Sequence, residues 1–265
     1  MGSFAGWLSA AAYRCWRPVV RRRLGRTVLE WVDGVPLVVL PEVFNPKVFR
    51  TGAWLARAVA GLAAPVEGNG EPRALDMGTG SGIGAVFAAR RGYRVTAVDV
   101  NPHAVRCARL NAALNGLEER IEVRQGDLFA AVAGERFDLV LFNPPFFRGE
   151  PSGPLDAAWR SQDVIERFAA GLPAALAPGG QALLLLSSAG GADRALAAHA
   201  PPGLRLTAIS RRGFAGETIT LFEAGARGEA VLAGAAGVAG AAAGARPVEA
   251  HGAAGAARAP AAAVR

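Results

Sequence analysis

Four consecutive residues, Asn143-Pro144-Pro145-Phe146, combine the groups needed to hold a planar NH2 group. They follow the apolar run 137–142, which predicts a buried strand. The prolines predict a rigid turn, because neither has an N–H group with which to continue a sheet. The Asn143 side-chain oxygen and the Pro144 carbonyl can accept both hydrogens of one NH2 group, and Phe146 can lie against a planar amide or base. The motif therefore favours attack by a nitrogen lone pair, the alternative being a turn with a core Phe.

A glycine-rich run, DMGTGSGIG at positions 76–84, lies upstream between a predicted strand and a predicted helix. Glycines at such a place permit a tight turn and let backbone N–H groups approach a ligand. Asp76 stands two positions before the first glycine, where a carboxylate can pair with the cationic amino group of S-adenosylmethionine but would repel a pyrophosphate. A Gly-x-Gly-x-x-Ala pattern in the same run leaves a dinucleotide-binding dehydrogenase as an alternative. We expect the cofactor to lie against Gly78, Gly80 and Gly82.

Two more carboxylates end the next predicted strands. Asp99 is placed where an acidic residue accepts both ribose hydroxyls, a feature that NAD-binding proteins share. Asp127 can accept from the adenine amino group, or cap the helix that starts near Leu128, and both roles remain open. Asn101 before Pro102 predicts a helix N-cap with proline at the first position. Taken with the NH2-holding motif, these residues predict S-adenosylmethionine as the cofactor and methyl transfer to nitrogen as the reaction.

The elements that must position these residues alternate between apolar strands and helices, so we predict an α/β fold with a mainly parallel, seven-stranded sheet covered on both faces. Ligands bind beyond the carboxyl ends of the strands in such sheets. The last two strands have no helix between them and predict an antiparallel pair at the edge. The predicted strands are 74–77, 94–99, 121–125, 137–142, 181–186, 204–210 and 217–222, and the predicted helices are 83–91, 102–115, 161–177 and 192–199.

The chain ahead of this core predicts a hairpin and a helix. The β-prone segments 27–32 and 35–40 flank Asp33-Gly34, a strong signal for a two-residue hairpin turn. A single helix is predicted over 47–62, with one apolar face that contains Trp54, Leu55, Ala58 and Val59. We therefore divide the chain into a basic arm (1–26), a catalytic domain (27–224, with the hairpin and helix in 27–64 and the core in 73–224) and an Ala/Gly-rich tail (225–265) that is predicted to be disordered.

Composition narrows the class of protein further. No apolar run is long enough for a transmembrane helix and no secretory signal is evident, so we expect a cytoplasmic location without membrane association. Two distant cysteines and three scattered histidines predict neither a disulfide framework nor a metal site. The net charge of +7 would favour approach to an anionic partner such as RNA. A monomer is assumed.

The chain resembles class I methyltransferases of the HemK/PrmC type over residues 43–224, and most of all the archaeal and eukaryotic release-factor branch. The two motifs above carry the resemblance, together with the stretches 157–168, 176–180 and 209–218. It implies a Rossmann-like class I methyltransferase fold that binds S-adenosylmethionine, and a cofactor-facing role for Thr51. It also implies that the methionine moiety lies at Asp76, Gly78, Gly80 and Gly82, the ribose at Asp99, the adenine at Asp127 and the acceptor nitrogen at Asn143, Pro144, Pro145 and Phe146. Asn143 is expected to contact the cofactor as well.

Two departures bear on the substrate. Members of the family usually have Tyr where Phe146 stands, and Phe146 is a choice seen in methyltransferases of ribosomal RNA base amines. An acidic pair of the family is replaced by Phe49 and Arg50. The leading hypothesis is methylation of a protein side-chain amide of the glutamine N5 type, with a translation factor as one candidate partner. The alternatives are an RNA or DNA methyltransferase acting on adenine N6 or guanine N2, and a binding module without turnover.

Overall fold

The computed structural model describes residues 25–65, 70–153, 155–188, 191–199, 202–214 and 217–226. Nearly all of the predicted basic arm and tail lie outside them. The strands are β1 (Val28–Val32), β2 (Val35–Val39), β3 (Arg73–Met77), β4 (Arg94–Asp99), β5 (Ile121–Gln125), β6 (Phe137–Phe142), β7 (Phe147–Arg148), β8 (Arg160–Ser161), β9 (Leu176–Ser187), β10 (Leu204–Phe214) and β11 (Glu217–Ala226). The helices are α1 (Pro46–Phe49), α2 (Thr51–Ala60), α3 (Ile83–Arg90), α4 (Pro102–Leu114), α5 (Val164–Ala175) and α6 (Ala192–His199).

Seven strands form one sheet in the order β10-β11-β9-β6-β3-β4-β5. Strands β5, β4, β3, β6 and β9 pair in parallel, whereas β11 is antiparallel to both β9 and β10. The predicted mainly parallel sheet with an antiparallel edge pair is therefore confirmed. Strands β4, β5 and β6 have the predicted bounds, while β9 begins five residues earlier than predicted, at Leu176, through a bulge opposite β6.

The hairpin is present, and the predicted helix after it is divided. Asp33 and Gly34 both have positive φ, of 48° and 81°, as the tight turn between β1 and β2 requires. The single helix predicted over 47–62 is wrong, because Arg50 adopts a left-handed conformation with φ 61° and separates α1 from α2. The α2 residues that were predicted to share an apolar face are all buried.

Helices cover both faces of the sheet, so two apolar clusters form the core. One cluster combines Val32, Val35 and Leu37 of the hairpin with α2, α3 and residues from β3, β4, β6, β9 and β11. The other joins α5 and α6 to the opposite face, where Phe168 stacks on Phe142 with ring centroids 4.2 Å apart. None of the described helices is long and apolar enough to span a membrane.

Candidate active site

The predicted site residues come together because three parallel strands end side by side. Strand β3 lies between β4 and β6, with Met77 in register with both Val98 and Phe142. Asp76 therefore precedes the glycine loop at the centre of this edge. Asp99 ends β4 on one side of it, and Asn143 follows β6 on the other. Acidic and amide side chains thus converge at the carboxyl ends of the strands, where ligands bind in such sheets.

Asp76 is a buried carboxylate that accepts two hydrogen bonds on the same oxygen. The hydroxyl of Thr79 and the backbone N–H of Ala85 donate to Oδ2, at 2.6 and 2.8 Å. The other oxygen, Oδ1, can still accept from a further donor. Burial raises the pKa of Asp76 to about 6, although these two hydrogen bonds oppose the rise. A cationic group beside Oδ1 would stabilise the ionised carboxylate.

Glycine is required at two places around this carboxylate. Gly82 is the N-cap residue of α3 and has φ 81°, and a Cβ there would lie 3.0 Å from the Cα of Ala108. Gly84 needs space rather than a special conformation, because a Cβ on it would lie 2.5 Å from Asp76 Oδ1. Gly78 and Gly80 also have positive φ, of 62° and 56°. The loop can therefore pass close to a ligand without side chains in the way.

The Asp99 side chain contacts the backbone of the same glycine loop. Its Oδ2 accepts from the backbone N–H of Gly80 at 2.8 Å, and its Oδ1 accepts from that of Asn101 at 2.9 Å. Burial raises the pKa of the Asp99 carboxyl against the effect of these bonds. Asn101 caps α4 as predicted, accepting from His103 N–H at 2.9 Å, and its amide also donates to the carbonyl of Glu42 at 2.8 Å.

Asp127 lies at the edge of the site and is held from α5. Arg167 donates to both of its oxygens, at 2.6 and 3.3 Å, and the Asp127 side chain is about half exposed. It stands before a short 3-10 helix (Leu128–Val132), but its side chain makes no capping hydrogen bond. The alternative in which Asp127 caps that helix is therefore wrong, and its adenine-binding role stays a prediction.

Asn143 carries an acceptor without a partner. Its Nδ2 donates to the Thr51 hydroxyl at 3.3 Å, while its Oδ1 is buried and has no hydrogen bond. No described residue donates to the carbonyl of Pro144 either. Because an unpaired buried oxygen is unfavourable, this pair of acceptors is suited to a ligand that brings two N–H donors.

Several aromatic residues belong to the chain segments that flank Thr51 and the Asn143–Phe146 motif. Phe146 is half-buried and packs on the core cluster that includes the hairpin. Phe44, Phe49 and Trp159 form an aromatic cluster in which each ring contacts the other two, with ring centroids 4.2 to 5.0 Å apart. Trp159 also accepts at its carbonyl from the N–H of Phe147, so this group links the segment ahead of Thr51 to the segment after Phe146.

The sequence interpretation missed three buried polar side chains that support the site. Glu30 on β1 and Asn45 before α1 bond to each other, and Asn111 on α4 bonds to both the hairpin and the glycine loop. Asn45 stands directly before a proline, the same N-cap signal that identified Asn101. The bond from Asn45 to Glu30 spans 15 residues and those between Asn111 and Val38 span 73, so no local pattern reveals them.

The sheet order and the glycine loop define a class I methyltransferase, and comparison with known proteins agrees. The chain belongs to the methyltransferase small domain family, whose model matches residues 40–200. The enzyme class predicted from the motifs, an S-adenosylmethionine-dependent methyltransferase, is confirmed.

Individual relatives methylate different macromolecules. The chain is 39% identical over 157 residues to a ribosomal RNA small subunit methyltransferase C from Alcanivorax borkumensis, covering 58% of this chain and 43% of that one. It is 28% identical over 189 residues to a putative protein N5-glutamine methyltransferase from Methanocaldococcus jannaschii, covering 68% and 90%. Several other curated relatives are matched over only 40% to 51% of their length.

A solved structure supports the fold alone. Trm5 of Methanocaldococcus jannaschii in complex with adenosine matches with a TM-score of 0.56 and 18% identity, covering 77% of this chain and 57% of that one.

Proposed function

We propose that this protein transfers a methyl group from S-adenosylmethionine to the NH2 group of a protein side-chain amide of the glutamine type. The observation that carries the proposal is the buried, unpaired Oδ1 of Asn143, whose Nδ2 is already bound to Thr51. The amide of Asn143 is thereby held with its acceptor directed away from Thr51. An incoming NH2 group supplies the missing donor.

The residues at the carboxyl ends of β3 and β4 fit the cofactor. Asp76 Oδ1 accepts no hydrogen bond from Thr79 or Ala85, so it is available to the cationic amino group of the methionine moiety. Gly84 has no side chain that would cover this oxygen. Asp99, at the end of the neighbouring strand, is the proposed acceptor for the ribose hydroxyls, in addition to the backbone N–H group that each of its oxygens already accepts. The half-exposed Asp127 can accept from an adenine amino group while it keeps one hydrogen bond to Arg167.

The chain's own groups prepare the nitrogen for attack. The bound cofactor supplies an electrophilic methyl carbon attached to sulfur. Asn143 Oδ1 and the Pro144 carbonyl each accept one N–H of the substrate, which directs the nitrogen lone pair and favours the more pyramidal, more positive nitrogen of the transition state. The nitrogen–carbon bond forms as the carbon–sulfur bond breaks, and the nitrogen then loses one proton to solvent. No side-chain base is needed, because methylation makes that proton acidic.

The similarity to a putative glutamine methyltransferase over 90% of that protein's length favours the amide. A second candidate, methylation of an exocyclic base amine, is favoured by a different observation. The aromatic cluster of Phe44, Phe49 and Trp159 is partly exposed, so it offers aromatic surface against which a base can stack. The ribosomal RNA methyltransferase relative is consistent with this candidate.

A labelling experiment separates the two substrates. The protein is incubated with S-adenosylmethionine labelled on the methyl group and with cell extract, and the products are treated with protease or RNase before counting. We expect label that survives RNase and is released by protease. Label that is released only by RNase would replace the first candidate with the second.

Asn143→Ala tests the acceptor directly. We expect transfer to fall by about 10²- to 10³-fold, the usual loss when one preorganised hydrogen bond to the reacting group is removed. Calorimetry with S-adenosylhomocysteine should give an affinity within about threefold of the wild-type value, because Asp76 and Asp99 carry the proposed cofactor contacts. A large loss of cofactor affinity in Asn143→Ala would instead show that Asn143 mainly holds the cofactor.

A further inference from the structure

Glu30 lies on the buried face of β1, where the alternation of exposed and buried residues predicts an apolar side chain. Side chains of β1 alternate between the exposed Leu29 and Trp31 and the buried Glu30 and Val32. Glu30 is 1% exposed although it carries a carboxylate. Carboxylates are almost never buried to this extent unless they are paired. The proposed contacts to cofactor and substrate do not use Glu30, so its burial has another cause.

Two of the residues that pair with Glu30, Asn45 and Lys47, lie at the start of α1. Asn45 Nδ2 donates to Glu30 Oε1 at 3.1 Å, and the ammonium group of Lys47 lies 3.6 Å from Oε2. The Asn45 amide, itself 1% exposed, turns its oxygen to α1 and accepts from the backbone N–H groups of Lys47 and Val48, both at 3.0 Å. Glu30 thus sets which way the Asn45 amide faces, and Asn45 in turn fixes where α1 begins.

The short helix α1 transmits this position to the active site. Gly52 in the first turn of α2 packs so closely on Pro46 that a Cβ on it would lie 2.9 Å from the proline Cβ. Arg50 joins the two helices in a left-handed conformation, a strained arrangement for a residue with a side chain. Thr51 follows at once, and its hydroxyl accepts from Asn143 at 3.3 Å.

We propose that Glu30 is a positioning residue for Asn143, acting through Asn45, α1 and Thr51. The role rests on the function proposed above for Asn143. A carboxylate 113 positions earlier in the chain thereby determines how the substrate-binding amide is held. The contacts form one continuous path from the hairpin to the acceptor site, and each step is a hydrogen bond, a covalent connection or a close packing contact.

The test compares variants that remove the hydrogen bond between Glu30 and Asn45 with variants that retain it. Glu30→Ala removes the acceptor for Asn45, whereas Glu30→Gln keeps an oxygen there. Asn45→Ser keeps the capping oxygen for α1 but removes the donor to Glu30. The matched control is Asp33→Ala, which breaks the ion pair of the same hairpin with Arg57 on α2 and leaves the path intact.

The first measurement is the side-chain amide resonance of Asn143 with bound S-adenosylhomocysteine, assigned by its loss in Asn143→Asp. We expect it to shift in Glu30→Ala and Asn45→Ser, and to stay near its wild-type position in Glu30→Gln and Asp33→Ala. The second measurement is the rate of methyl transfer to the cell-extract fraction that the wild-type protein labels. Glu30→Ala and Asn45→Ser should lose about 10- to 100-fold in kcat, with KM for S-adenosylmethionine changed less than about twofold.

An unshifted Asn143 resonance in both Glu30→Ala and Asn45→Ser overturns the inference, as does an equal loss of kcat in Asp33→Ala. If Glu30→Ala does not fold, Asn45→Ser decides alone, because it retains the helix cap. A wild-type protein that transfers no methyl group would overturn the proposed function instead, and the amide resonance still tests Glu30 by itself.

Discussion

At the residue scale, Asp76 is an almost completely buried carboxyl group whose ionised form is stabilised when a cationic group binds beside it. Burial raises the pKa of its carboxyl from 3.8 to about 6. In the ligand-free protein, burial favours the protonated form, which predominates below about pH 6. The contribution of Asp76 to stability is therefore fully present below about pH 4 and is lost as the pH rises through about 6. Binding of a cationic amino group reverses this preference, since it pairs with the ionised carboxylate.

The affinity for S-adenosylhomocysteine, which keeps that amino group, should therefore increase as the pH rises through about 6. We expect a gain of about tenfold between one pH unit below this pKa and pH 7.5, measured by calorimetry. Asp76→Asn should bind about 10- to 100-fold more weakly at pH 7.5 and show a flat profile, because a charged hydrogen bond is lost. Asp33→Asn, at an exposed carboxylate of the hairpin, should keep the wild-type profile. A sloping profile in Asp76→Asn would assign the titration to another group.

Sequence reasoning identified individual residues where a local pattern signals a chemical task. Asn143 stands out because two prolines follow it, and Asp76 because a glycine run follows it. The capping role considered for Asp127 is wrong because Arg167, 40 residues later, takes both carboxylate oxygens. The Thr51–Asn143 bond spans 92 residues, so no local pattern predicts it, and the resemblance to a known family implied only a cofactor-facing role for Thr51.

At the scale of elements, Asn111 of α4 joins the hairpin to the glycine loop. Its amide exchanges two hydrogen bonds with the backbone of Val38, at 2.7 and 2.6 Å, and donates to the carbonyl of Ser81 at 2.8 Å. These bonds satisfy the outer edge of β2, which has no partner strand in the described structure. The residue is fully buried, so the backbone groups that it pairs with are shielded from bulk solvent.

We predict that Asn111→Ala lowers the free energy of unfolding by about 2–4 kcal/mol, because several buried backbone groups lose their partner. Denaturant titration with an unchanged m-value provides the measurement. The neighbouring Asn115→Ala is the comparison: Asn115 makes a single bond to the hairpin, to Pro36, and is less buried, so we expect about 1 kcal/mol or less. Equal effects of the two variants would mean that Asn111 does not connect these elements.

The sequence predicted β3 to β6 and the helices α3, α4 and α6 to within one residue at each end, because apolar runs and turn signals are local, whereas β9, β10 and β11 each extend four or five residues beyond the predicted bounds. The break at Arg50 was missed because nothing in its residue type predicts positive φ, which is rare for a residue other than glycine. It arises from long-range contacts: Glu30 holds the start of α1, and Pro46 and Gly52 hold α2 against it. The division of this helix is therefore a property of packing.

At the scale of the whole molecule, the hairpin and the catalytic core share one apolar cluster. Val32, Val35 and Leu37 pack in the same group as residues of the central and antiparallel strands, although they belong to a different segment (27–64) of the predicted catalytic domain from those strands (73–224). Each hairpin strand is also tied to the core by polar groups, β1 through Glu30 and β2 through Asn111. A two-stranded hairpin is only marginally stable by itself, so its stability here must come from these contacts.

We therefore predict that hairpin and sheet unfold together. In native-state hydrogen exchange, the slowest amides of β1–β2 and of β3–β4 should show the same opening free energy and the same dependence on denaturant. S-adenosylhomocysteine at about 100 times its Kd should raise both values by about 2.7 kcal/mol, since a ligand of the folded state stabilises everything that unfolds with its site. In Asn111→Ala the hairpin amides should exchange at a lower free energy than the sheet, and the effect of the ligand on them should shrink. Independent opening of the hairpin in the wild-type protein, without response to the ligand, would show that the hairpin is a separate unit and that the path from Glu30 to the active site is not rigid.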